Sequence, residues 1–224
     1  MLRIRNTEVW GLGRAIKASG NAMTVGEINT LVENEDKDYK RGERLGSTPV
    51  GSAHDHFLLG IHVQFDIIYP QYWTIEAERY HNFEIITSQS KMHRLTIMGK
   101  EDGFADMFNK YVDEAVIIRV KSHIEWYNYL ISMERKKDNS YYSKDGTSFS
   151  AEEQSKRIYE AFMKCISNLP MGFEMGMTCD LTYLQLKTLY QQRKNHKLKE
   201  DWGAFCDWCL TLPRFKELTG IGND

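Results

Sequence analysis

The chain has 224 residues, 42% of them apolar and 27% charged, and a formal net charge of -2. This is an ordinary globular composition, large enough to bury a core without disulfides or a structural metal. The charge balance argues against a nucleic-acid polymer as partner, while a local basic pocket for a small phosphate stays open. No apolar run of about eighteen residues is present, so no membrane helix is expected. Met1 to Asn6 lacks the apolar run and small-residue cleavage site of a signal peptide. Cys165, Cys179, Cys206 and Cys209 all lie in the last third, and reduced thiols in a cytoplasmic protein are the expectation.

No internal repeat or low-complexity tract divides the chain, and a single domain over residues 1–224 is expected. The first twenty residues read as a short strand and then a helix, Val9 to Ala18. From Glu33 to Gly51 the chain turns polar and Gly-rich, which predicts a mobile surface loop. Ile61, Val63, Phe65 and Ile67 alternate with His62, Gln64 and Asp66, the period of a strand with one buried face. Pro70 closes that strand and suits the first turn of a helix, where its missing N–H is no loss. After the stretch Gln71 to Tyr80, residues Phe83 to Thr87 make a second short strand.

Phe104, Met107, Phe108, Tyr111, Val112, Ala115 and Ile118 recur at helical spacing, so one long helix is expected from Gly103 to Arg135. Asp138 to Ser150 is polar and turn-rich, and Ser150-Ala-Glu-Glu reads as the N-cap of a helix ending near Pro170. A Gly- and Met-rich turn follows, then helices from Leu181 to Asn195 and from Lys199 to Leu212. Strands and helices mixed without regular alternation indicate an α+β fold rather than a doubly wound sheet.

Three motifs invite a chemical reading. His54, His56 and His62 could form a metal cluster, but no further Cys or His at ligand spacing joins them, and no metal is expected. Cys206-Asp207-Trp208-Cys209 has no second pair and lies where Trp202, Phe205, Cys206 and Cys209 share a helix face, so buried small side chains are expected. Gly11-Leu12-Gly13 lacks the third Gly of a dinucleotide fingerprint.

Two ordered blocks, covering under half the chain, carry a family resemblance. In the first, Ala53-His54-Asp55, the strand Ile61 to Ile68, Pro70 and Arg79 follow one another, ending in Glu78-Arg79-Tyr80-His81-Asn82-Phe83-Glu84 and Ser88-Gln89-Ser90-Lys91-Met92-His93-Arg94. In the second, Leu169-Pro170 precedes the helix Leu184 to Gln192, then Arg193, with His196 just beyond. This order resembles the flavin-dependent thymidylate synthases, whose signature is Arg-His-Arg, seven residues, Ser, one residue, Arg. Arg79 keeps the first Arg of the triplet, with Tyr80 and His81 in place of the other two. The signature Ser falls between Ser88 and Ser90, Lys91 stands at the last Arg, Glu76 takes the place of the usual Gln, and Ile166 replaces an Arg before Leu-Pro.

The resemblance implies a mixed or antiparallel sheet flanked by long helices, assembled as a homotetramer whose active sites are shared between subunits. It implies methylation of dUMP to dTMP with FAD, methylenetetrahydrofolate and NADPH, with the cofactor carrying the chemistry and the protein supplying orientation and electrostatics. By the same resemblance Arg193 is the catalytic and substrate-facing cation, and Glu76, Ser88, Ser90 and Lys91 bind the nucleotide. His54, Arg79, His81, His196 and Ser19 fall to the cofactor side. The altered signature, Glu76 and His81 above all, keeps open a related one-carbon transfer such as hydroxymethylation of another pyrimidine nucleotide. A nucleotide-binding oligomer that has lost catalysis is the remaining alternative.

Overall fold

Gly11 joins the first strand, β1 (Arg3–Trp10), to the first helix, α1 (Leu12–Ala18). It stands in the left-handed region at φ 78°, and a Cβ there would run into the Gly60 carbonyl, so a tight junction accounts for this glycine. The computed structural model describes residues 2–80, 83–100, 102–137 and 139–222. After α1 come α2 (Asp36–Gly46), β2 (His62–Pro70), α3 (Gln71–Ala77), β3 (Glu84–Ser88) and α4 (Lys91–Met98). Helix α5 (Glu114–Ser132) is followed by a small hairpin of β4 (Tyr141–Tyr142) and β5 (Ser148–Phe149), then α6 (Ala151–Ser167). The chain closes with β6 (Glu174–Thr182), α7 (Tyr183–Arg193), α8 (Lys199–Cys209) and α9 (Phe215–Thr219). It groups into two compact units, Met1–Tyr69 with Trp73–Ser88 and Gly176–Asp224, and Pro70–Tyr72 with Gln89–Met175.

The first unit is built on a four-stranded sheet in the order β1-β2-β6-β3, with β1 antiparallel to β2 and β3 antiparallel to β6. The alternation expected of β2 holds: Val63, Phe65 and Ile67 are buried while His62 is exposed. The Gly- and Met-rich stretch expected to be a turn is instead the central strand β6, with Met177, Cys179 and Leu181 facing the core. Met and Cys lack the β-branching that marks a strand by composition, but alternate burial on a paired strand settles their geometry. Asp66 straps three strands together, accepting hydrogen bonds from Asn6 Nδ2 on β1 and Thr178 Oγ1 on β6, each at 2.7 Å. Every residue of β3 is exposed, as fits an edge strand.

Helix α8 buries Trp202, Phe205, Cys206 and Cys209, the face expected from their spacing. The Trp202 and Phe205 rings pack against Trp73 at 5.0 and 6.4 Å, and Phe205 meets Trp208 at 5.4 Å. Burial pushes the Cys206 thiol up to about 11 and the Cys209 thiol well above its ordinary value, so this pair is inert core. All four cysteines are free and buried.

The segment expected to be a mobile loop from Glu33 to Gly51 contains helix α2. Its polar composition hid a capping box, in which Glu35 N–H donates to Asp38 Oδ2 at 3.0 Å, and an i,i+3 pair of Asp38 with Arg41 at 2.8 Å. Gly46 is required where it stands, because a Cβ would collide with the Leu218 carbonyl.

In the second unit α5 packs on α6. Val120, Ile124 and Leu130 are buried, as are Ala161 and Cys165, and Gln154 Nε2 donates to the Leu130 carbonyl at 2.8 Å. The Ser150 cap is as expected, with Glu153 completing a capping box. The single helix expected from Gly103 to Arg135 is not formed. A 3-10 turn covers Phe104–Met107, Phe108 is extended and bridges to Phe173, and α5 starts only at Glu114. A 3-10 turn repeats its side chains every three residues, so the apolar spacing alone could not separate it from an α-helix.

Candidate functional site

Helix α3 ends with Glu76 on its last turn, and Arg79 and Tyr80 follow at once. Helix α7 delivers Arg193 at its C-terminal end, a position that favours a cation, and His196 lies three residues on. The fold brings these distant segments together around one carboxylate. Glu76 Oε2 is 3.2 Å from Arg193 Nη1, and Glu76 Oε1 is 3.2 Å from Arg79 Nη1. His196 Nδ1 accepts the Leu198 N–H at 3.2 Å, which leaves the proton on Nε2, 3.9 Å from Glu76 Oε2. One carboxylate between two guanidinium groups leaves a positive charge uncompensated, which suits an anionic or carbonyl-rich ligand.

Arg193 is the best-held member of this cluster. Its guanidinium carbon lies 4.8 Å from the Trp202 ring centroid and 5.0 Å from that of Tyr80. Its side chain is 13% exposed against 67% for Arg79. Arg193 Nε and Trp202 Nε1 are buried without a hydrogen-bond partner among the described residues. An unsatisfied buried donor costs about 1–3 kcal/mol, a cost that a ligand accepting these hydrogen bonds would remove.

Tyr80 connects this cluster to a cavity of about 400 Å³ whose walls include Val50, Ala53, Leu59, Phe83, Gln185 and Thr188. Most of the lining is apolar, and the few polar groups (His56, Gln185 and Thr188 among them) could fix a ring's orientation. The volume and apolar walls fit a flat heteroaromatic group, with an aromatic face available from Tyr80.

The remaining expected residues are placed as follows. His54 is exposed, on the short stretch between cavity residues Ala53 and Asp55. Ser19 caps α1: its hydroxyl donates to the Ile16 carbonyl at 2.7 Å and accepts from Arg41 Nε at 3.1 Å. Ser88 is exposed at the end of β3. In the second unit Ser90 is the N-cap of α4, accepting the His93 N–H at 3.3 Å, and Lys91 Nζ donates to Gln71 Oε1 at 2.8 Å. His81 lies outside the described residues. Among the described residues, no group of three His, Cys, Asp or Glu side chains is placed to hold a metal ion. No helix among them is long and apolar enough to cross a membrane.

Sequence reasoning missed Tyr80, Trp202 and the fully buried Lys187, which pairs with Asp55 at 2.7 Å. A Lys in the apolar phase of Tyr183-Leu-Gln-Leu-Lys187 was the available signal.

No family model and no curated protein matches the sequence. Solved structures do. Thymidylate synthase X from Helicobacter pylori, crystallised with FAD and dUMP, is 14% identical, covering 98% of this chain and 97% of its own at a TM-score of 0.63. A second structure of that flavin-dependent enzyme with FAD and dUMP is 13% identical, covering 97% and 96% at a TM-score of 0.60. A UMP/dUMP methylase from Streptomyces cacaoi bound with 5-Br dUMP is 12% identical, covering 99% and 96% at a TM-score of 0.57. Over nearly its whole length, then, this chain has the fold of the flavin-dependent thymidylate synthases, in a divergent form.

Proposed function

We propose that the chain is a flavin- and folate-dependent methyltransferase converting dUMP to dTMP, with FAD, methylenetetrahydrofolate and NADPH. The observation that carries this reading is the meeting of Glu76, Arg79, Arg193 and His196 around one carboxylate beside an apolar cavity. Fold neighbours crystallised with FAD and dUMP support the same ligand pair here.

Bound flavin would supply the hydride in this chemistry. The cavity walls would hold its ring, and Arg79, the most exposed cation of the cluster, would meet its diphosphate; a cofactor role for His54, His81, His196 and Ser19 belongs to the same proposal. Arg193, flanked by Tyr80 and Trp202, would donate to a pyrimidine carbonyl and stabilise the negative charge developing there. Glu76 fixes the guanidinium's orientation. Ser88, Ser90 and Lys91 are assigned to the nucleotide phosphate on donor chemistry, a hydroxyl or an ammonium being suited to a phosphate oxygen. Assembly as a homotetramer with shared sites belongs to the same proposal. Exposed apolar side chains on the edge strand β3, Ile85 at 37% and Ile86 at 54%, offer a surface for such assembly.

One observation favours a related one-carbon transfer. Glu76, where the family pattern has an amide, presents a carboxylate that only accepts hydrogen bonds, which changes the base edge it can read. Incubation of the FAD-loaded protein with dUMP or dCMP, NADPH and labelled methylenetetrahydrofolate, with the product identified by mass, separates the two. Labelled dTMP supports methylation. A hydroxymethylated cytosine nucleotide replaces that reading with its rival, and no product from a flavin-loaded protein leaves the inactive binder.

A further inference from the structure

We infer that Lys187 is a positioning residue that clasps the loop Pro49 to His54 into place as a wall of the cavity. The functional meaning of the clasp rests on the ligand reading of that cavity; its geometry does not.

Lys187 lies on α7 with its side chain fully buried. Its ammonium donates to the Gly46 carbonyl at 2.8 Å, the Thr48 carbonyl at 2.6 Å and Asp55 Oδ2 at 2.7 Å. An ammonium has three N–H groups, and all three are spent here on one short stretch of chain. Gly46 and Thr48 precede the loop and Asp55 follows it, so a single side chain closes six residues into a ring.

Those six residues have little else to hold them. Pro49, Val50, Gly51, Ser52, Ala53 and His54 are all exposed, so burial does not fix their path. The hydrogen bonds that hold them are local: Ser52 N–H to the Pro49 carbonyl at 3.1 Å, His56 N–H to the Ala53 carbonyl at 3.3 Å, and Ser52 Oγ to Thr48 Oγ1 at 2.8 Å. Yet the conformation is costly. Ala53 sits in the left-handed region at φ 64°, while Gly51 adopts φ 89° freely. For an alanine the left-handed region costs on the order of 1–2 kcal/mol and persists where the surroundings impose it. Fixing both ends of the loop on one buried cation is such an imposition.

The strained stretch is also the part that forms the site. Val50, Gly51 and Ala53 line the cavity from the loop, and Gln185, Thr188 and Leu189 line it from α7. Lys187 therefore ties one wall to the element that carries the other. A buried ion pair adds little net stability over apolar residues of similar volume, but removing one partner alone is damaging. Replacing Lys187 and Asp55 together thus removes the clasp without leaving a buried unpaired charge, although the Gly46 and Thr48 carbonyls lose their donor.

The test compares wild type with the double variant Lys187→Met/Asp55→Leu and, because Asp55 itself lines the cavity, with Lys187→Met alone, all as full chains. Amide hydrogen exchange is read for the peptide spanning residues 47–58, which holds the Ser52 and His56 amides bonded to the Pro49 and Ala53 carbonyls. FAD affinity is read by absorbance titration. Exchange in residues 47–58 is expected to quicken at least about tenfold, with β2 and α7 unchanged, and FAD affinity to fall about tenfold or more. Unchanged exchange in 47–58, or quickening shared equally by β2 and α7, would overturn the clasp. A loosened loop with undiminished FAD affinity would overturn its role in positioning. Wild type that takes up no FAD would sink the flavin reading instead, and the exchange comparison would still decide the clasp.

Discussion

Asp38 and Glu76 each hold two cations in the first unit, and they end in opposite states. Asp38, 3% exposed, accepts from Lys17 Nζ at 2.7 Å, Arg41 Nη2 at 2.8 Å and the Glu35 N–H at 3.0 Å, all between helices α1 and α2. The Lys17 hydrogen bond first, then the Glu35 N–H and Arg41, hold its carboxyl well below the usual carboxylate range. Glu76 is 23% exposed, its guanidinium partners stand at 3.2 Å, and one of them keeps a buried Nε unsatisfied beside a cavity. The first cluster is closed and serves the fold. The second is unfinished, and a ligand would complete it. Net charge is alike in the two; an unsatisfied buried donor together with a neighbouring cavity is what makes the second the candidate site.

The comparison breaks first at Arg193. Lys at that position keeps the charge but loses the planar fork, and Arg193→Lys is expected to lower kcat by about a hundredfold or more, the scale of one lost transition-state donor. Steady-state dTMP formation with an unchanged melting temperature checks this; a near-normal rate would remove Arg193 from the chemistry.

Asp38→Asn should do the reverse, costing about 3 kcal/mol of stability by leaving Lys17 and Arg41 poorly matched, with FAD affinity unchanged. Urea unfolding measures it. The pH dependence has a definite sign. A carboxyl whose folded value lies below its unfolded value of 3.8 stabilises the protein above that pH, and the contribution is lost as pH falls toward the folded value. The variant should therefore show a shallower loss of stability below about pH 4 than wild type.

Glu76→Gln leaves Arg193 without its counter-charge and restores an amide. About a tenfold change in nucleotide affinity is expected, with a shift in preference between uracil and cytosine nucleotides, read by flavin absorbance. An identical preference in both proteins would make Glu76 a structural partner only. The smallest effect belongs to Ser19→Ala, which should cost about 1 kcal/mol by removing the α1 cap and the Arg41 contact. A fall in flavin affinity at unchanged stability would instead return Ser19 to the cofactor.

Much of this candidate cluster is legible in the sequence. Glu76, Arg79, Arg193 and His196 were each picked from ordered blocks, and the fold brings all four into one cluster. Strand β2 and the Ser150 cap were readable because alternation and capping boxes are local signals. Strand β6 was not, since it is held by pairing on both sides rather than by β-branched composition. Helix α2 was hidden by its polar, Gly-containing composition: its capping box and the Asp38–Arg41 pair are local, but the Lys17 partner becomes visible only when α1 packs on it. Tyr80 and Trp202 could not be assigned for the same reason: flanking Arg193 takes residues more than a hundred positions apart.

The most direct measurement is the visible absorbance of the purified protein after FAD is added, with and without dUMP. A bound flavin spectrum that shifts on adding dUMP in wild type, and shifts less in Arg193→Lys, is the expected result. Correctly folded protein that retains no flavin would contradict the assignment and leave only the fold in common with the flavin-dependent thymidylate synthases.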